Sequence, residues 1–301
     1  MKNEQQSHGV LKPEHIKPAR NLALRARMIV EGVIAGLHQS PYHGFSSEFL
    51  EFRAYLSGES ARKIDWRKYA KSDRTVVRLF EDETNLSAHI FIDKSSSMAF
   101  SSTGVMNKYD YAKTLAASLA WILIRQRDAV GIATFDESIS TVIPPHSTNP
   151  HLQAIISHLE KSEASGKTGC GASLSRLAAA IKKRGLCIII SDLFDDPGEI
   201  VRGLRYLRFK KQDVIVLRII DPKEQRFDYS SPLFIRDMET GEGLSLDAAT
   251  AAGFFNAGSA SHQEAIRRSC LDLRIDYETI VTTEPFQRAL LRVLEKRRRM
   301  F

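Results

Sequence analysis

The chain has no apolar run long enough to cross a bilayer. Its longest uncharged apolar stretch, Thr114 to Ile124, falls far short of the roughly 20 residues a spanning helix needs. Cysteine is scarce: Cys170, Cys187 and Cys270 are scattered without a CxxC pair, and an odd count of 3 argues against a disulfide framework or a zinc ribbon. None of the 9 histidines forms an HExxH pair, and His146 and His151 flank a Pro-containing loop where they are expected at solvent. The start, Met1-Lys-Asn-Glu-Gln-Gln-Ser-His8, lacks the apolar core of a signal peptide, so a cytoplasmic protein is expected. Ser165-Gly-Lys-Thr168 looks like the end of a phosphate-binding loop, but that motif needs a Gly where the chain has Lys161, and a buried strand before it. No GxSxG elbow for a serine hydrolase is present either.

What the chain does have is an apolar, β-prone run that ends in a loop of hard oxygen donors: Ser87-Ala-His-Ile-Phe-Ile-Asp-Lys-Ser-Ser-Ser-Met98. Ala88 to Ile92 reads as a buried strand of a parallel sheet, followed by a helix over Lys108 to Gln126. Ligand sites in open α/β sheets lie beyond the carboxyl ends of the strands, which is where Asp93, Ser95 and Ser97 emerge. One carboxylate and two hydroxyls at alternate positions suit Mg²⁺ (or Mn²⁺), and nothing here is soft enough for zinc. A purely structural reading also stands: Asp and Ser commonly satisfy the backbone of such loops.

This spacing resembles the metal-ion-dependent adhesion site (MIDAS) of von Willebrand factor A domains. The resemblance implies a Thr from a second loop and an Asp from a third. Thr168, ahead of a helix expected over Ser173 to Lys183, and Asp192, at the end of the strand Leu186-Cys-Ile-Ile-Ile-Ser191, are the candidates. Ser165 and Ser173 are nearby hydroxyls that could stand in for Thr168.

Over nearly its whole length the chain is similar to the domain of unknown function 58 family, whose members pair a basic-aromatic segment with a von Willebrand A-like domain. The specific segments are Ser46-Ser-Glu-Phe-Leu-Glu-Phe-Arg-Ala-Tyr-Leu-Ser-Gly58, Arg62-Lys-Ile-Asp-Trp-Arg67 and Val77-Arg-Leu-Phe-Glu-Asp-Glu-Thr-Asn85. Asp237-Met-Glu-Thr-Gly-Glu242 and Thr282-Thr-Glu-Pro285 add to them. The family usually has Asp after the Gly of the first segment, and this chain has the conservative Glu59. The resemblance implies a non-enzymatic, metal-dependent protein-binding module whose open coordination position takes a partner's carboxylate. It also implies a MoxR-type AAA+ ATPase as partner, with this protein as a chaperone adaptor to a client.

Length and pattern set the organisation. The 301 residues can bury one sizeable core with an attached extension. Residues 1 to 20, interrupted by Pro13 and Pro18, read as a flexible lead. Residues 21 to 87 form an N-terminal extension with an amphipathic helix over Leu22 to Leu37, and residues 88 to 301 form the von Willebrand A-like domain. Further apolar runs at Ala129 to Phe135, Leu186 to Ile190 and Val214 to Ile220 alternate with helical stretches, the pattern of a doubly wound, mainly parallel α/β sheet of Rossmann-like type. Helices near His262 to Leu273 and Phe286 to Arg298 flank a strand at Ile275 to Val281.

Arg53, Tyr55, Arg62, Asp65, Trp66 and Arg67 form a second cluster. Structurally, Asp65 would pair with an Arg while Trp66 packs; functionally, exposed Trp and Arg are common anchors of a partner-docking surface. The net charge of +7, from 43 basic against 36 acidic residues, raises nucleic-acid binding as another class. Part of the excess is the tail Lys296-Arg-Arg-Arg299, which reads as a solvated helix end without interleaved aromatics. A metal-dependent phosphoesterase built on Asp93, Asp192 and Asp195 is the remaining alternative, although Asp195 and Asp196 stand where a helix cap is expected before Pro197.

Overall fold

In the computed structural model, the described residues are 11–19, 21–38, 51–54, 69, 75–79, 86–227, 233–236, 243–246 and 248–300. In chain order they form α1 (Pro13–Ile16), α2 (Leu22–His38), β1 (Glu51–Ala54), β2 (Val76–Leu79), β3 (Ser87–Asp93), α3 (Lys108–Arg125), β4 (Ala129–Phe135), β5 (Ile139–His146) and α4 (Asn149–Lys161). Then come α5 (Cys170–Ala180), β6 (Leu186–Ser191), α6 (Pro197–Phe209), β7 (Asp213–Ile220), α7 (Pro222–Gln225), β8 (Leu233–Arg236), β9 (Gly243–Leu246), α8 (Ala248–Asp272), β10 (Asp276–Val281) and α9 (Phe286–Met300).

The central sheet has 6 strands in the order β10-β7-β6-β3-β4-β5. All neighbours are parallel except the edge pair β4–β5. This is the doubly wound, mainly parallel α/β sheet expected. Strands buried on both faces cannot alternate apolar with polar, and the fully buried Leu186-Cys-Ile-Ile-Ile-Ser191 shows the consequence. β5 alternates between half-buried and exposed residues because it lies at the edge. Its Pro144 and Pro145 are tolerated there, where backbone donors are not all needed.

On one sheet face, Phe91, Phe135, Ile189 and Val216 pack with Leu174 and Leu177 of α5, Ile200 and Leu204 of α6, and Ile266 of α8. Gly171 permits α5 to approach α6: a Cβ there would lie 2.4 Å from the backbone of Glu199. The next residues along β3, Ile90 and Ile92, turn to the opposite face by strand alternation and are fully buried beneath α3. Along α3, Leu115 and Leu119 lie one turn apart on the side it buries, and Tyr111 stacks on Phe286 of α9 with ring centroids 4.2 Å apart.

The chain divides into two compact units, residues 1–35 with 86–301, and residues 36–85. In the smaller unit, β1 and β2 pair antiparallel, Glu51 opposite Leu79 through Ala54 opposite Val76. The division differs from the expected boundaries at 20 and 87. Most of α2 belongs with the large unit, where Ala26, Ile29, Val30 and Val33 are buried and the Leu22 N–H donates to Glu160 of α4 at 2.8 Å. Nor are all of residues 1 to 20 a lead, since Pro13–Ile16 make a helical turn, with Pro at its tolerated first position and Ile16 fully buried.

α8 starts well before the expected His262. Its first half, Ala248-Ala-Thr-Ala-Ala-Gly-Phe-Phe-Asn-Ala-Gly-Ser-Ala260, has no amphipathic stripe of large residues, but Ala is the strongest helix former and carries the segment. His151 also departs from the solvent position expected of it: it is half-buried, and its Nε2 lies 2.7 Å from the Val130 carbonyl. No helix among the described residues is long and apolar enough to cross a membrane.

Candidate functional site

The parallel strands place their carboxyl ends side by side, so β3, β6 and β7 deliver Asp93, Asp192 and Asp221 to one edge of the sheet. All three are at most 1% exposed. Asp93 closes β3, and its Oδ1 accepts the Ser95 N–H at 2.9 Å, a turn that brings Ser95 and Ser97 back over the strand end. The Ser95 and Ser97 hydroxyl oxygens are 3.1 Å apart, and Ser97 Oγ donates to Asp192 Oδ2 at 2.8 Å. Ser191 Oγ donates to Asp93 Oδ2 at 2.6 Å and accepts the Leu193 N–H at 2.9 Å, tying the two Asp-bearing loops together.

The loop before α5 is fastened to the same place. The Ser96 N–H donates to the Gly166 carbonyl at 2.9 Å and the Ser165 N–H to the Lys94 carbonyl at 2.6 Å. Gly166 sits at φ +89°, which only glycine adopts freely. Thr168 is half-buried in this loop, immediately before the helix N-cap Gly169. The two alternative hydroxyls are engaged elsewhere: Ser173 Oγ donates to the Asp136 carbonyl at 3.0 Å, and Ser165 Oγ accepts from Lys94 Nζ at 3.2 Å. Asp93, Ser95, Ser97 and Asp192 therefore meet at one point, and the Thr168 loop abuts them. Arg53 lies in β1; Tyr55, Arg62, Asp65, Trp66 and Arg67 lie outside the described residues.

Lys108 is the main residue the motif reading missed. It is fully buried, and its Nζ lies 2.7 Å from Asp192 Oδ2 and 2.6 Å from Glu224 Oε1. Burial opposes its charge, but the two carboxylates outweigh burial and hold its pKa above the ordinary lysine value. Glu224 belongs to α7, which Asp221 begins with a capping box. Burial raises the Glu224 pKa, and the attraction of Lys108 offsets this only in part. A signal was present in the sequence, because a Lys in the first turn of a helix opposes the helix dipole and calls for an anion beside it.

Asp93 is held against its charge. Burial, and then repulsion from Asp192, push its carboxyl up to about 7, against the hydrogen bonds from Ser191 and Ser95. Two carboxylates, Asp192 and Glu224, share one ammonium, and Asp93 stands beside Asp192, which leaves the cluster attractive to a further cation. The turn after Asp192 is strained as well, with Leu193 at φ +57°. It is held by Arg218 Nε donating to the Asp192 carbonyl at 3.2 Å and by His262 Nε2, 2.9 Å from the Leu193 carbonyl.

The donor set suits a hard divalent cation. Metal–oxygen distances near 2.1 Å in an octahedron place adjacent ligands about 2.9–3.0 Å apart. The Ser95–Ser97 and Ser97–Asp192 separations of 3.1 and 2.8 Å bracket that edge. Among the described residues no three His, Cys, Asp or Glu side chains converge as a metal cage, so any cation here depends on hydroxyl ligands. Asp195 is used otherwise: its Oδ2 accepts the Gly171 N–H at 3.1 Å, and Asp196 caps α6 through Glu199 N–H at 3.0 Å.

The model of the family described as "Protein of unknown function DUF58" matches residues 51–265. The chain belongs to the DUF58 family. An uncharacterized protein of Mycobacterium tuberculosis (strain H37Rv) is 25% identical over 275 residues, 88% of this chain and 86% of that protein. A Mycobacterium bovis protein, also uncharacterized, matches to the same extent. Among solved structures, BatB from Bacteroides thetaiotaomicron is similar at 20% identity and a TM-score of 0.49, covering 70% of this chain and 98% of that one. The SpRpn10 VWA domain is similar at 13% identity and a TM-score of 0.42, covering 68% of this chain and 93% of that one. Within this DUF58 protein the basic tail is partly neutralised: Lys296 pairs with Asp276 and Glu278 at 3.0 Å each, and Arg297 pairs with Asp128.

Proposed function

We propose that this DUF58 protein is a non-enzymatic, divalent-cation-dependent protein-binding module, acting as an adaptor between a MoxR-type AAA+ ATPase and a client in complex assembly. The observation that carries the reading is the spacing of Ser95 Oγ, Ser97 Oγ and Asp192 Oδ2, at 3.1 and 2.8 Å along the chain of contacts. Ser95, Ser97 and Asp192 would hold Mg²⁺ or Mn²⁺ directly, with Asp93 and Thr168 binding it or orienting its waters. Bound there, the cation would offer a coordination position to a partner's carboxylate. The chain's own part is to pre-order the oxygens through Ser191 and the Asp93 turn, and to limit the charge through Lys108. The ATPase is the partner implied by the family resemblance, and the cytoplasm, where ATP is available, is the compartment we assign.

The test is calorimetric titration of the metal-stripped protein with Mg²⁺ and Mn²⁺, followed by capture of a purified MoxR-type ATPase with and without chelator. Binding of one cation per chain, lost in Asp93→Ala together with capture, supports the reading. Capture that ignores both chelator and Asp93→Ala refutes it. Lys108 favours a second reading, in which its ammonium is the resident cation and the cluster is structural. On that reading the wild type binds no divalent cation while Lys108→Met gains a site.

A further inference from the structure

A pocket of about 560 Å³ opens beside the Asp93–Asp192 cluster, where the end of β7 and α7 face the middle of α8. Its volume lies within the range of small-ligand sites, roughly 300–1,000 Å³. Arg218, Glu224, Arg226, Ser259 and Gln263 are among its lining residues.

Arg218 sets the chemistry. It is 2% exposed, and its Nε donates to the Asp192 carbonyl at 3.2 Å. Among the described residues no carboxylate pairs with its guanidinium. Beside it lies the Tyr277 hydroxyl, whose pKa burial raises, so that it stays neutral and leaves the guanidinium's charge uncompensated. Among the described residues the one carboxylate in the lining is already engaged: Glu224 Oε1 accepts from Lys108 at 2.6 Å and Oε2 from the Asp221 N–H at 2.9 Å. The pocket is thus a cavity with an unneutralised guanidinium at its base and a second, Arg226, in its lining. A buried charge left unpaired is destabilising, and a guanidinium fork matches a carboxylate or phosphate through two parallel hydrogen bonds.

We propose that this pocket is a binding site for a small anionic ligand whose carboxylate or phosphate group is received by Arg218, with Ser259 and Gln263 contacting the remainder. The site is separate from the cation reading. Its ligand needs neither Asp93 nor Ser97, so it is tested in the presence of chelator, where failure of one reading leaves the other standing. The shared element is the Asp192 carbonyl, which Arg218 holds whether or not the cation cluster binds metal.

The experiment is an amide and arginine Nε–H NMR titration of the full-length, chelated protein with inorganic phosphate and, separately, acetate at constant ionic strength. Expected is a saturable, millimolar shift of the Arg218 Nε–H signal and of the Ser259 and Gln263 amides. Saturation by phosphate assigns a phosphate ligand, and saturation by acetate alone a carboxylate one. Arg218→Gln should weaken binding about tenfold or more. Because Arg218 is buried and that variant can fail to fold, Ala260→Trp, which fills the pocket from the exposed side of α8, is the second variant, and it should abolish the shifts while the rest of the spectrum is preserved. Absence of a saturable shift with either anion, or undiminished binding in Ala260→Trp, overturns the proposal.

Discussion

Replacing Lys108 by Met removes the only ammonium that, among the described residues, pairs with Asp192 and Glu224, and keeps most of the side-chain volume. In the wild type, Nζ lies 2.7 Å from Asp192 Oδ2 and 2.6 Å from Glu224 Oε1, and the lysine side chain has no solvent exposure. Breaking a buried ion pair by deleting one partner costs about 3–5 kcal/mol, because the other partner remains as an uncompensated buried charge. Here two carboxylates lose their counter-ion, which argues for the upper part of that range. Two smaller terms act the other way. Met relieves a positive charge in the first turn of α3, worth about 0.3–1 kcal/mol, and an unbranched replacement keeps the repacking cost low. The net expectation is a loss of about 3–4 kcal/mol, or roughly 10 °C in Tm for a unit of this size.

The assay is urea unfolding at pH 7.5 in chelator, run as a double-mutant cycle with Glu224→Gln. That single change leaves Lys108 paired with Asp192, so it should cost only about 1 kcal/mol, and the double variant should recover at least about 1 kcal/mol relative to additivity. Lys108→Met should also gain stability on mild acidification, as the stranded carboxylates take up protons. A loss under about 1 kcal/mol, or strict additivity with Glu224→Gln, would refute the claim that this ammonium holds the cluster together.

In chelator, wild-type stability should carry a term from Asp93 that rises as pH is lowered. Its folded-state pKa of about 7 exceeds the ordinary 3.8, so between those values the folded state holds a proton the unfolded chain has lost; the difference in stability between wild type and Asp93→Asn should therefore change by up to about 1.4 kcal/mol per pH unit near the middle of that window, and a flat difference would disprove the shift. Ser191→Ala deletes the 2.6 Å hydrogen bond to Asp93 and the acceptor for Leu193 N–H, and should cost about 1–3 kcal/mol by urea denaturation. Gly166→Ala places a side chain at φ +89° with its Cβ 3.0 Å from Asp136 Oδ2, and should lose about 1–2 kcal/mol in the same assay. Gly171→Val meets the Glu199 backbone and should yield little folded protein, read as the soluble fraction on expression.

The fold was legible because burial on both faces writes an apolar run that needs no partner to be recognised. Leu186 to Ser191 and Val214 to Ile220 are such runs, and their order among helices dictates a parallel sheet. Segments shaped by their neighbours were harder. The edge strand β5 carries two prolines that read as loop, and the front half of α8 is helical on alanine propensity without the stripe that marks an amphipathic helix. The same division runs through the site. Asp93, Ser95 and Ser97 are adjacent in sequence, so their convergence follows from one strand end and one turn. Lys108, Ser191, Glu224 and Arg218 come together only because β3, β6 and β7 end side by side, and no local pattern encodes that meeting. The weak trace each leaves is a residue at odds with its surroundings: a lysine in a helix's first turn, and an arginine inside the apolar strand Val214-Ile-Val-Leu-Arg-Ile-Ile220. Such conflicts cost stability where they stand, and here both side chains are anchored on Asp192: Lys108 is neutralised by its carboxylate, and Arg218 is held, with its charge uncompensated, by its carbonyl. The carboxyl end of β6 is thus the point on which two buried cations of the large unit converge, and it is there that a change in ligand would be felt by both.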